Sequence, residues 1–282
     1  MSSVIVRNRG KAAGGRLLIY FLLTVAAIYF LLPVLILVNT GLKSFKEVNI
    51  YHMWWLPGSP SFEAFYQALS KLAPNLLNSF MLTIPASLIS AMLGSINGYV
   101  LSKWKFRGSN IVFILILFGM FIPYQSILIP LVQFLSRTKL YGKLVGLILT
   151  HVIYGIPITT LIFKNYYSEV PTSLLESGLI DGVGILGGYW RLILPVSAPA
   201  FVVVIIWQFT SIWNEFLFAV SIIQNPNFQP ITVALQNLAG SEIIEWNIQM
   251  AGALLAALPT LLVYIFLGKY FIRGLLAGSI KG

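Results

Sequence analysis

Long apolar runs alternate with short polar connections along this chain. Six runs, residues 17–38, 77–101, 111–132, 144–163, 200–222 and 248–267, are long enough to cross a bilayer. A hydrocarbon core about 30 Å thick needs about 20 apolar residues when each rises 1.5 Å. Backbone groups inside lipid find no water to bond, so the runs must be helices. Pro33, Pro85, Pro123, Pro157 and Pro259 fall within them and predict kinks, which spanning helices tolerate. The expected fold is an all-α polytopic membrane protein with six transmembrane helices.

Composition agrees with that pattern. Hydrophobic residues make up 58% of the 282 and charged residues 9%, with a mean hydropathy of +0.87. Soluble domains carry about 25% charged residues to keep a wet surface. This chain lacks the charge to cover itself in water, which places it in the cell membrane as a multi-pass protein. A basic segment over residues 1–16 precedes the first run, as in a signal peptide. That run is 22 residues, longer than a typical signal core, and no small-x-small cleavage site follows. It is expected to remain as the first span.

Basic residues set the expected orientation. With the N-terminus inside, the inner side receives twelve Lys and Arg and the outer side six. By the positive-inside rule both termini are then cytoplasmic. The net charge of +10 follows from this topology and does not call for a nucleic-acid partner. Residues 39–76 form a long outer loop in which Trp54 and Trp55 read as interfacial anchors. Residues 164–197 form a long cytoplasmic loop. No internal repeat is present, and six spans make a small bundle, so a pore calls for a second subunit.

Several chemistries lack their residues. There is no cysteine, and His52 and His151 form no spaced ligand pair, so no metal site is expected. No GxxxxGK[ST] phosphate loop occurs, and no catalytic constellation is visible.

The cytoplasmic loop carries the densest pattern. Pro171-Thr-Ser-Leu-Leu-Glu176 places Ser173 and Glu176 at capping-box spacing, which predicts a short helix. Leu175 and Leu179 share one of its faces. Gly182, Gly184, Gly187 and Gly188 end it, and Pro195 and Pro199 precede the fifth span. Local physics alone allows Glu176 to be only a cap and the glycines only turns. Yet Glu176-Ser177-Gly178, Asp181-Gly182, and Leu194-Pro195 twelve positions on from Gly182 resemble the E-A-A, G, I-x-L-P signature of ABC importer permeases. Ser177, Gly178 and Leu192 replace two alanines and an isoleucine.

Softer motifs resemble the carbohydrate branch of that family, the kind of subunit represented by the second maltose permease. They are Ser102 to Gly108, Ile122-Pro123, Ile129-Pro130, Trp213-Asn214-Glu215-Phe216 and the tail from Gly274 to Gly282. The resemblance implies three segments: a tail, first span and outer loop over 1–71, a five-span permease core over 72–272, and a cytoplasmic tail over 273–282. It implies coupling helices between spans four and five that dock on an ATPase subunit. Glu176, Ser177, Gly178, Asp181, Gly182, Leu194 and Pro195 would carry that contact. It further implies a second permease subunit, two ATPase subunits holding ATP and Mg, and an extracytoplasmic substrate-binding protein. The chain itself would hold no cofactor.

Of eight acidic residues, only Glu215 falls within a predicted span. A charge at membrane depth is costly and faces a bundle interior or a wet cavity. Counted at 1.5 Å per residue from residue 200, Glu215 should lie roughly 24 Å along the fifth span. Gln208, Ser211 and Glu215, at i, i+3 and i+7, should share a face, with Asn214 beside it. Two readings stay open: a packing contact with a neighbouring helix, or a substrate path. Trp213 reads as an interfacial anchor near the outer headgroups. Sugar or oligosaccharide is the expected cargo, with polyamine or phosphate as alternatives in the same machinery. A proton-coupled secondary transporter would need repeated halves and a relay of ionisable groups, and Glu215 is the single such group that this reading of the spans supplies.

Overall fold

The structure is a computed structural model, and it describes residues 2–104, 106–180, 182–240 and 244–277. Among these the chain is helical, with no strand. Twelve α-helices follow in order: α1 (Ser2–Gly41), α2 (Glu63–Lys103), α3 (Ser109–Phe118), α4 (Leu128–Arg137), α5 (Leu144–Glu169), α6 (Ser173–Ile180), α7 (Ile185–Gly188), α8 (Leu194–Val196), α9 (Ala198–Trp213), α10 (Leu217–Ile222), α11 (Ile231–Ala239) and α12 (Trp246–Ala277). A π-helical turn, Tyr189–Ile193, joins α7 to α8.

Among the described residues four helices are long and apolar enough to cross a membrane: the Gly15–Gly41 part of α1, then α2, α5, and the Trp246–Lys269 part of α12. Two bent pairs raise the number to six, Ser109–Phe121 with Tyr124–Arg137 at 91° and Ile185–Val196 with Ala198–Trp213 at 78°. The 111–132 run is therefore no straight span. Proline disfavours the helical region for the residue before it, and here Ile122 (ψ 115°) and Pro123 (ψ 122°) are both extended. By contrast Pro33, Pro85, Pro157 and Pro259 stay inside continuous helices. The carbonyl freed at Ile122 accepts a 2.9 Å bond from the Tyr154 hydroxyl on α5, so the break leaves no orphan acceptor.

The 200–222 run is also broken. Helix α9 ends at Trp213, and α10 begins at Leu217 after three non-helical residues. Glu215 causes this. Its carboxylate accepts from the N–H groups of Phe218 at 2.7 Å and Ala219 at 3.2 Å, capping α10. Its own carbonyl accepts from the Thr232 hydroxyl at 3.0 Å. A helix start in lipid has no water for its free N–H groups, so a side chain must serve them.

The chain forms two compact units, residues 1–70 with 238–255 and residues 71–237 with 256–282. In the first, Ala64 and Ala68 pack against Ile248 and Ala251. The loop after α1 is tied by Asn39, whose amide donates to the carbonyls of Met53 and Trp55, and by buried Lys43, which donates to His52 at 2.9 Å. Trp54 and Trp55 stay exposed.

In the second unit, α2 and α5 touch at backbone distance. A Cβ on Gly94 would lie 2.8 Å from the Thr159 backbone, and one on Gly98 would lie 2.7 Å from the Lys164 nitrogen. The Gly94-x-x-x-Gly98 spacing is what allows this approach. One apolar cluster gathers Leu82, Leu135, Leu147, Phe218, Ile222 and Val233, and a second gathers Tyr99, Phe163, Tyr167, Tyr189, Ile193 and Val204.

Candidate functional site

Two places hold the residues singled out by sequence. The first is the turn between α5 and α9. Helix α6 forms as expected, but Ser173 is inside it and the Thr172 carbonyl accepts from the Leu175 and Glu176 N–H groups. The reciprocal Ser173–Glu176 capping bonds are absent among the described residues. Thr172 stands one position earlier and takes up the helix start.

Leu175 is buried, while Glu176 and Ser177 are exposed. Gly178 is buried against Leu192, whose Cδ1 would meet a Cβ there at 2.5 Å. Gly182 has φ +78°, a conformation that L side chains rarely adopt. Leu194 is half-buried and Pro195 exposed. Asp181, and the tail residues 278–282, lie outside the described residues, as does the Leu179 side chain. Ile180 is 87% exposed and Leu186 73%, which leaves an apolar crest on this turn.

Behind the crest a buried hydroxyl cluster holds the turn to the long helices. Ser95 on α2 lies 2.6 Å from the Tyr167 hydroxyl on α5 and 2.9 Å from that of Tyr189 in the π-helical turn. Tyr99 donates to the Ile185 carbonyl at 3.0 Å. The sequence reading contained none of these contacts.

The second place is a cavity of about 330 Å³ among α5, α9, the 214–216 break and the Pro123 bend. Gln208, Ser211, Asn214 and Glu215 all line it. The expected common face is thus present, although Glu215 reaches it from the break and not from a continuing helix. The helical count of roughly 24 Å therefore does not apply past Trp213. Gln208 is buried and donates to the Gly155 carbonyl at 3.1 Å, and Asn214 donates back to Thr210 at 2.8 Å. Trp213 is no headgroup anchor. It is 2% exposed, stacks on Phe209, and donates to the Ala256 carbonyl at 2.9 Å.

Sequence reading missed His151. Its Nε2 stands 3.7 Å from Glu215 Oε2, so Glu215 is not the single ionisable group at membrane depth. The signal was available, because an imidazole in the middle of the 144–163 run is as unusual as a carboxylate there. Tyr124, Tyr154 and Phe218 complete the wall with aromatic edges and faces. Among the described residues no group of three or more His, Cys, Asp or Glu could hold a metal.

Residues 90–276, a stretch that includes both places, match the family described as the binding-protein-dependent transport system inner membrane component. This chain belongs to that family. It is a permease subunit of an ABC importer and a multi-pass cell-membrane protein. The permease is 46% identical to a probable ABC transporter permease protein of Pyrococcus horikoshii over 95% of this chain and 98% of that one. It is 38% identical to a xylose/arabinose import permease protein of Haloferax volcanii over 74% of each chain. A glucose import system permease protein of Saccharolobus solfataricus is 31% identical over 93% of the permease and 95% of that relative. In fold the permease is similar to a chain of a bacterial ABC transporter involved in import of the acidic polysaccharide alginate. That likeness has a TM-score of 0.80 at 20% identity and covers 93% and 98% of the two chains.

Proposed function

We propose that this permease carries a sugar across the cell membrane, working with a second permease subunit, two ATPase subunits and an extracytoplasmic binding protein. Both termini face the cytoplasm in this reading, which the twelve-to-six basic bias supports. ATP binding closes the ATPase pair, the turn over residues 173–195 moves with it, and the spans switch which side the path opens to. The permease contributes no covalent chemistry, and ATP and Mg stay in the partners.

One observation carries the coupling role: the exposed crest of Ile180 and Leu186. Large apolar side chains standing free of the bundle mark a surface that another protein covers. Gly182 beside them, exposed and with open space around it, keeps the backbone open to close approach. The cargo assignment rests on the xylose/arabinose and glucose import relatives. The cavity lined by Gln208, Ser211, Asn214 and Glu215 offers donors, acceptors and aromatic faces but one carboxylate, a poor match to a polycation or to phosphate. The test is reconstitution: the complex purified on this subunit should bring an ATPase with it. In liposomes with its binding protein it should take up a pentose or hexose only with ATP. A complex that takes up spermidine or phosphate instead, or imports with no ATPase present, refutes the proposal.

A further inference from the structure

The mechanism above leaves His151 without a task. It is 6% exposed, it lines the 330 Å³ cavity, and its Nε2 has no hydrogen-bond partner. Glu215 Oε2 is 3.7 Å away, beyond hydrogen-bond reach. A buried polar nitrogen without a partner is costly, and its neighbours do not relieve it. The Gln208 and Asn214 amide nitrogens are committed to the carbonyls of Gly155 and Thr210. The Tyr154 hydroxyl gives its proton to the Ile122 carbonyl and makes no bond to Nε2.

Glu215 is half-engaged. Each carboxylate oxygen takes one backbone N–H from the start of α10. An ionised carboxylate has about four acceptor positions, so acceptor capacity remains. A facing carboxylate favours the tautomer that carries the proton on Nε2, and in that form the pair presents one donor and one acceptor side by side. A hydroxyl satisfies both at once, because it accepts from an imidazole N–H and donates to a carboxylate. An ammonium has no acceptor for the imidazole N–H, and a phosphate would be set against the carboxylate.

We infer that His151 Nε2 and Glu215 Oε2 form a hydroxyl-reading subsite on the translocation path. One cargo hydroxyl bridges them from the cavity side while the rings of Tyr124 and Tyr154 line the same cavity. This deepens the sugar reading above and rests on it.

The test uses the full complex in proteoliposomes with its binding protein, and D-glucose, D-xylose and L-arabinose as probes. His151→Phe keeps a flat ring and removes the nitrogen, and uptake of the transported sugar should fall about ten-fold. His151→Gln restores a donor and should recover most of that loss. A second readout does not depend on either variant assembling well. The chain has two histidines, so His52→Asn leaves one imidazole, and its nitrogen resonance in isotope-labelled complex should shift when the transported sugar is added. Uptake of none of the three sugars overturns the sugar reading, and this subsite with it. Uptake of one of them with an unmoved imidazole resonance overturns the subsite alone, whether or not His151→Phe transports poorly, because His151 is then a packing residue.

Discussion

Ser95→Ala tests whether the hydroxyl cluster fixes the coupling turn to the spans. Ser95 is fully buried and shared, at 2.6 Å from the Tyr167 hydroxyl and 2.9 Å from that of Tyr189. Tyr189 has one further contact, the Met92 thioether at 3.3 Å. A net hydrogen bond contributes about 1 kcal/mol, and an orphaned buried hydroxyl costs about 1–3 kcal/mol. Tyr189→Phe removes the Ser95 bond and the weak thioether contact and leaves Ser95 paired with Tyr167, so it should cost about 1 kcal/mol. Ser95→Ala removes two bonds and leaves the Tyr189 phenol with only the weakly accepting Met92 thioether, so it should cost roughly 2–4 kcal/mol. At about 2–4 °C per kcal/mol for a unit of this size, the two variants should melt roughly 3 and 8 °C below the unmodified complex. The decisive variant is the triple one, Ser95→Ala with Tyr167→Phe and Tyr189→Phe. It deletes the three hydroxyls that meet at Ser95 and should melt above Ser95→Ala, because the hydroxyls left nearby, Tyr99 and Ser197, keep their bonds to the Ile185 and Leu194 carbonyls. Thermal unfolding in detergent and sugar uptake per ATP hydrolysed would be measured together. A triple variant less stable than Ser95→Ala refutes the reasoning, since the hydroxyls would then matter through packing and not through pairing.

Three further outcomes are expected. Gly182→Arg should abolish ATP-coupled uptake while the protein remains in the membrane, because φ +78° strains any L side chain and a long cation would stand on the docking surface; normal uptake would remove the main support for coupling through this turn. Gly98→Val should reduce complex yield several-fold, because its Cβ would lie 2.7 Å from a backbone nitrogen of α5; a normal yield would mean that the α2–α5 contact is looser than described. Cysteines placed at Ser2 and Lys281, in a chain that has none of its own, should resist impermeant reagents in intact cells; labelling of either would reverse the topology.

The apolar runs were legible because lipid imposes one rule on every residue: satisfy the backbone internally and show carbon outside. That rule finds 77–101 and 144–163 and places them inside α2 and α5. It cannot find where a run breaks, because a break costs no hydropathy. The bend at Ile122-Pro123 was written in the sequence as a proline, but four other prolines in the runs sit in continuous helices. What separates them is tertiary: Tyr154 on another helix accepts the consequence by donating to the freed carbonyl.

The site was legible by the same measure, and failed at the same point. Glu215 stood out because a carboxylate in an apolar run demands a reason; the packing reading asked for a partner on another helix and the path reading for a wet cavity. The structure supplies a different partner close by, the start of α10, so the charge that marks the residue also explains the break beside it. A capping carboxylate must lie where its helix begins, and an unbroken fifth span would have carried Glu215 onward with the helix. The break brings it instead to within 3.7 Å of His151, on a helix some sixty residues earlier in the chain. No spacing rule links those two positions, since their meeting depends on where α9 stops. The cavity chemistry is therefore a product of the break, and a variant that restored helix through residues 214–216 should lose the His151–Glu215 approach even with both residues in place.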